Sequence, residues 1–158
     1  MENEQVVGVI PNVSLKKGLF RSELFTFVVT NRRLIAAKWS KQIYKQEVDK
    51  RKREAKQEGK GKLKQLFAAA GTMLAFADRY LTMNPDEILQ ETMGSFAVEP
   101  STVQKVKFKP GYFDQNNDTE TLSTLLLFTT NGKLKFSFNS SNDIAVQKLL
   151  PPLLGRKL

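Results

Sequence analysis

The chain has 158 residues, 41% hydrophobic and 26% charged, enough for one domain with a buried core and ordinary for a globular protein. It contains neither Cys nor His, which excludes disulfides and thiol chemistry and removes the usual general base near neutral pH and the commonest metal ligand. The formal net charge of +9 is uneven: residues 41–64 hold ten Lys or Arg against four Asp or Glu, whereas residues 65–158 hold nine of each.

The N-terminus, Met-Glu-Asn-Glu-Gln, is acidic and polar, unlike a signal peptide. The longest apolar run, in residues 66–77, is interrupted by Gly71 and Thr72 and falls short of the roughly 20 residues a spanning helix needs. The expectation is a cytoplasmic protein, at most peripheral to the inner face of a membrane.

Residues 6–10 read as a first strand closed by Pro11-Asn12, and residues 13–20 as a second with Lys16-Lys17-Gly18 as its loop signal. Residues 25–39 read as a β-hairpin. Phe25, Phe27 and Val29 alternate with Thr26, Val28 and Thr30, Thr30-Asn31-Arg32-Arg33 supplies the turn, and residues 34–39 resume a strand. Ser40 then predicts an N-cap for a helix over residues 41–58, where Glu47 with Arg51 and Asp49 with Arg53 are i,i+4 pairs in the favourable order. Apolar residues are scarce there, so most of that helix should be wet. Gly59-Lys60-Gly61 ends it.

A second helix is predicted where Leu63, Leu66, Phe67, Ala70, Leu74, Ala77 and Leu81 recur at threes and fours. Asn84-Pro85-Asp86-Glu87 opens a short third one, with an N-cap, Pro at the first helical position and acids in the first turn. Strands return at residues 95–99 and 103–109, the latter alternating Gln104, Val106 and Phe108 with Lys105, Lys107 and Lys109. Residues 110–120 read as a polar loop. Residues 122–130 and 133–139 form a second hairpin about Asn131-Gly132, with Leu134, Phe136 and Phe138 on one face. Residues 140–143 cap a last helix carrying Ile144, Ala145, Leu149 and Leu150, which Pro151-Pro152 should stop or kink.

This order implies an α+β fold: a bent antiparallel sheet or partly open barrel, sealed by the C-terminal helix, with a helical hairpin inserted at residues 41–92. The run Val-Val-Thr-Asn-Arg-Arg-Leu-Ile at residues 28–35 resembles the T-N-x-R-L hairpin of the pleckstrin-homology-like (PH-like) families, including the GRAM and bacterial PH types. The later strands and terminal helix are similar to the second half of that barrel. The resemblance implies a single PH-like domain acting as a non-catalytic binding or adaptor module, without a cofactor.

Phosphoinositide-binding PH domains hold phosphates with clustered cations on the loop joining their first two strands. The resemblance therefore points to Lys16, Lys17 and Arg21, joined by Arg32 and Arg33, although Glu23 stands where a further cation is expected. The bland alternative is ordinary solvated loop charge. The second candidate is the basic helix with Lys50, Arg51, Lys52 and Arg53, suited to a protein partner, an anionic lipid surface or a nucleic-acid backbone. Interleaved acids and scarce aromatics suit a solvated or partner helix better than nucleic acid, which stands as the alternative. The stripe from Leu63 to Leu81 suits packing or self-association through the insert, with burial of the stripe in a membrane's headgroup region as the less favoured alternative.

The lysines at 105, 107, 109, 133 and 135 read as the wet side of a sheet or as guards of its edge. Asp114, Asn116, Asp118 and Glu120 have the alternating spacing of a calcium loop. They lack its sixth-position glycine and twelfth-position acid, so a polar loop is expected.

Overall fold

The computed structural model describes residues 3–58, 76–156 and 158, with the side chains of residues 51 and 55–58 outside the description. The helix expected from Leu63 lies outside the described residues up to 75; beyond that, Phe76 and Ala77 are helical and Asp78–Thr82 is a 3-10 turn.

Seven strands form one antiparallel sheet: β1 (Val6–Lys16), β2 (Ser22–Thr30), β3 (Leu34–Lys38), β4 (Phe96–Val98), β5 (Val103–Lys109), β8 (Ser123–Thr129) and β9 (Gly132–Phe138). Their order across the sheet is β4-β3-β2-β1-β9-β8-β5. The two hairpins thus belong to one sheet, and β1 joins them. Its pairing with β2 runs from Val6–Thr30 to Lys16–Ser22, but its pairing with β9 is only Ser14–Ser137 and Leu15–Phe136. The short seam lets the sheet fold over on itself, so Phe27 of one half meets Phe136 of the other edge to face, ring centroids 4.7 Å apart.

Pro11-Asn12 does not end the first strand. It is a bulge within β1, where the register with β2 shifts between Ile10 and Val13 and Asn12 takes φ 58°. A proline has no ladder donor to give, and a bulge is where an interior strand tolerates that. The loop at residues 110–120 is likewise more ordered than the sequence suggests. It holds a separate two-stranded hairpin, β6 (Tyr112–Asp114) with β7 (Thr119–Thr121).

The C-terminal helix α3 (Asp143–Leu154) closes the inner face of the bent sheet through Val146, Leu150 and Leu154. Ile144, expected on that apolar face, is 79% exposed. Pro151 and Pro152 lie inside the helix. Proline inside a helix loses a hydrogen bond and crowds the carbonyl four residues back, and the core contacts of Leu153 and Leu154 beyond the pair favour continuing the helix past it. Gly155, in the left-handed conformation, caps the end through its N–H to the Pro151 carbonyl at 2.8 Å.

The predicted helix over 41–58 is α1 (Lys41–Glu58), with Ser40 Oγ accepting from the Ile43 N–H at 3.3 Å. Asn84 caps α2 (Pro85–Glu91) by accepting from the Asp86 N–H at 2.9 Å. Both elements fall between β3 and β4, which pair directly. They do more than decorate the rim. The β2–β3 hairpin turns Phe25, Phe27, Val29, Leu34 and Ala36 into the main core and Val28, Ile35 and Ala37 the other way, into a second core with Phe76, Tyr80 and Ile88. Ile43, Tyr44 and Leu89 pack against that second cluster.

No helix among the described residues is long and apolar enough to cross a membrane.

Candidate functional site

The first five cations do not gather in one place. Lys16 and Ser22 pair at one end of the β1–β2 ladder, and Val6 and Thr30 at the other. Lys16, Lys17 and Arg21 are therefore separated from Arg32 and Arg33 by the length of β2, about 27 Å at the usual rise per residue.

Arg33 has another occupation. Its Nε donates to Glu4 Oε1 at 2.8 Å, and its Nη2 donates to Glu4 Oε2 at 3.1 Å and to Asp86 Oδ1 at 2.8 Å. Hydrogen bonding to Glu4 raises the Arg33 pKa further, against the opposing effect of burial. This arginine clamps the N-terminal segment, the β2–β3 turn and the start of α2. Arg32 lines a polar cleft of about 850 Å³ between Asn3–Val6 and Leu81–Asp86.

The β1–β2 loop, residues 17–21, is a different kind of object. The Lys17 N–H donates to the Arg21 carbonyl at 2.8 Å, closing a tight turn that thrusts residues 18–20 outward. At its tip Leu19 is 85% and Phe20 98% exposed. Two large apolar side chains are thus offered to the surroundings between Lys16 and Lys17 on one side and Arg21 on the other. The Lys17 Nζ lies 6.0 Å from the centroid of Phe96. Glu23, which breaks the basic run in sequence, is paired with Leu15, so it lies on the face opposite Lys16; there it forms an ion pair with Lys38 at 3.3 Å.

Lys50, Lys52 and Arg53 are exposed on α1, and Arg51 lies outside the described side chains. The helix starts beside this same loop, since the Trp39 N–H bonds the Leu24 carbonyl at 2.9 Å. Its basic stretch begins about 14 Å further along the axis, beyond Glu47, whose carboxylate lies 3.9 Å from Arg79.

The sheet lysines come together instead. Lys105, Lys107 and Lys109 on β5 and Lys133 and Lys135 on β9 flank Thr124, Leu126 and Phe128 of β8 in cross-strand register. Three of their ammoniums lie 5.4 to 6.0 Å from the centroid of the Phe128 ring. Ser14 pairs with Ser137 on this outward face, and Lys16, two residues on, shares it.

In the acidic loop, Asp114 accepts from the Asn116 N–H and the Asn117 amide, both at 2.9 Å, as an Asx turn does. Among the described residues no three Asp or Glu gather as a metal cluster.

Sequence reasoning missed Leu19 and Phe20. Two apolar residues beside a glycine carry no periodicity, and only their exposure distinguishes them from core. The available signal was the cations on both sides.

No protein-family model matches the chain, and no curated protein matches it. Among solved structures, the chain is similar to the Vps36 N-terminal PH domain, 13% identical with a TM-score of 0.48, over 98% of this chain and 83% of that one. It is also similar to the C-terminal domain of an unknown protein from Leishmania infantum, 8% identical with a TM-score of 0.46, over 96% and 85%. The architecture is α+β: a large, open antiparallel sheet with a C-terminal helix.

Proposed function

We propose that the chain is a PH-like, non-catalytic binding module that attaches peripherally to anionic membrane surfaces through residues 16–21. The observation that carries this reading is the near-complete exposure of Leu19 and Phe20 between Lys16, Lys17 and Arg21. Exposed pairs of this size cost solubility unless something apolar receives them. A bilayer interface receives apolar tips and anionic headgroups receive the cations around them, each cation near the surface contributing about 1 kcal/mol. Strand order and the sealing helix agree with the PH-like resemblance of residues 28–35.

Vesicle pelleting tests the reading. Binding to phosphatidylcholine vesicles containing phosphatidylserine is expected, with loss in Leu19→Ser/Phe20→Ser and in Lys16→Glu/Lys17→Glu. Unchanged pelleting of both variants would overturn it. A salt-titrated shift of DNA or RNA that survives both loop variants would favour the nucleic-acid alternative through Lys50, Arg51, Lys52 and Arg53.

A further inference from the structure

The outward face of β5, β8 and β9 is a strip with charged rails. Its outward positions are Lys105, Lys107 and Lys109 on one side, Thr124, Leu126 and Phe128 along the middle, and Lys133 and Lys135 with Ser137 on the other. No acid stands among them. Lys107, Phe108, Lys109, Thr124, Leu126 and Lys135 border a depression of about 520 Å³, Phe108 alternating with the outward lysines and packing against the core.

Two ordinary explanations fall short. Lysines on an edge strand discourage pairing with another chain, which suits β5 at the end of the sheet. It extends to Lys133 and Lys135, which precede the short seam of β9 with β1, but it does not account for the apolar Leu126 and Phe128 set between the two rows. A merely wet face needs polarity but not one sign, and like charges so close repel one another and oppose folding. The cluster costs stability that a partner of opposite sign would return.

We propose that this strip is a docking site for an acidic amphipathic helix of a partner protein. The rails are two strand spacings apart, about 10 Å, close to the diameter of an α-helix with its side chains. A helix lying along β8 would set an apolar stripe over Leu126 and Thr124, and its flanking carboxylates would reach the lysines on both sides. Charge complementarity selects the sign of the partner, and the apolar floor selects a partner with an apolar stripe. Residues 59–65 of the chain itself, with three lysines and no acid, have the wrong sign for these rails. Nucleic acid fits less well. The faces of Phe128, the one aromatic on the strip, are taken by the ammoniums of Lys105, Lys107 and Lys133, leaving no platform for a base.

This proposal rests on the chain being a binding module but not on residues 16–21. The probe is a labelled synthetic helix of about 20 residues, with leucines at i, i+3, i+4 and i+7 and glutamates beside them. Its controls are a scrambled peptide of the same composition and a single-stranded oligonucleotide of equal length. At about 150 mM salt, where long-range attraction is screened, the helix is expected to bind at least about tenfold more tightly than either control. Lys107→Glu/Lys135→Glu should abolish that binding while leaving the melting temperature equal or higher, and Leu126→Asn should weaken it. Equal binding of the scrambled peptide, tighter binding of the oligonucleotide, or unchanged binding in Lys107→Glu/Lys135→Glu would each overturn the proposal. Loss of vesicle binding in the Leu19→Ser/Phe20→Ser variant, with peptide binding intact, separates this site from the membrane-binding loop.

Discussion

Arg79 and Glu91 meet through two parallel hydrogen bonds, Nη1 to Oε1 and Nη2 to Oε2, each 2.6 Å long. The guanidinium also lies 5.2 Å from the Phe76 ring and 5.3 Å from the Tyr80 ring, and hydrogen bonding to Glu91 raises its pKa further. The pair fastens the segment before α2 to the end of that helix over the second core. Arg79→Ala leaves the Glu91 carboxylate, 14% exposed, without this partner. Breaking a buried pair from one side costs about 3–5 kcal/mol, and residual exposure sets the expectation at about 2–3 kcal/mol. Arg79→Lys should recover little of it, because an ammonium cannot reproduce the fork. Urea unfolding of the three proteins decides; equal stability of the lysine variant would refute the bidentate account.

Thr30 is 1% exposed, and its hydroxyl serves several partners at once. It donates to Glu4 Oε1 at 2.8 Å and accepts from the N–H groups of Arg32 and Arg33 at 3.1 and 2.9 Å. Thr30→Val keeps the shape and strands those groups, at an expected cost of about 1–3 kcal/mol. In a chain of this size that lowers the melting temperature by about 2–4 °C per kcal/mol. A shift under one degree would mean that water replaces the hydroxyl.

Gly111 is needed for space. A Cβ there would lie 2.0 Å from the Thr121 carbonyl oxygen and 2.7 Å from the Ser123 nitrogen, backbone atoms that cannot step aside. Its N–H donates to Ser123 Oγ at 2.8 Å, and that hydroxyl donates to Asp143 at 2.5 Å, tying the β6–β7 hairpin to the start of α3. Gly111→Ala should destabilise the chain by more than Ser123→Ala does, and amide exchange over residues 110–122 should accelerate. Slower or unchanged exchange would contradict the crowding argument.

Burial, aided by the nearby Glu91 charge, pushes the Tyr80 phenol up to about 12 from its ordinary 10.0. The folded protein thus holds this proton more tightly than the unfolded chain does. Any stabilisation linked to it is complete below pH 10 and is lost as pH rises through about 12. Tyr80→Phe removes the ionisation, so its stability should fall less steeply than that of the wild type across this window. Parallel pH curves for the two proteins would show that Tyr80 does not titrate differently on folding.

The elements best legible in the sequence were those whose signal is local. Alternation gave β2 and β9, Ser40 and Asn84 marked helix starts, and Asn131-Gly132 marked a turn. What misled was chemistry that depends on distant partners. Pro11 looks like a terminator until β2 pairs with the strand both before and after it. Pro151 and Pro152 look like a stop until Leu153 and Leu154 find the core. At the candidate site, Lys16, Lys17 and Arg21 flank one tight turn, and Arg33 could not be told from a free cation without Glu4 and Asp86 beside it. The lysine strip was visible as two separate alternations, and only the register of β8 between them joined it into one surface.

Because Val28, Ile35 and Ala37 face the second cluster, the first hairpin is a party wall shared by two rooms. Excising residues 41–92 to obtain a minimal barrel would bare that side and invite clumping, even though β3 and β4 could still pair. Shortening this protein for study should therefore spare the excursion, and trimming is better attempted at the β6–β7 arm.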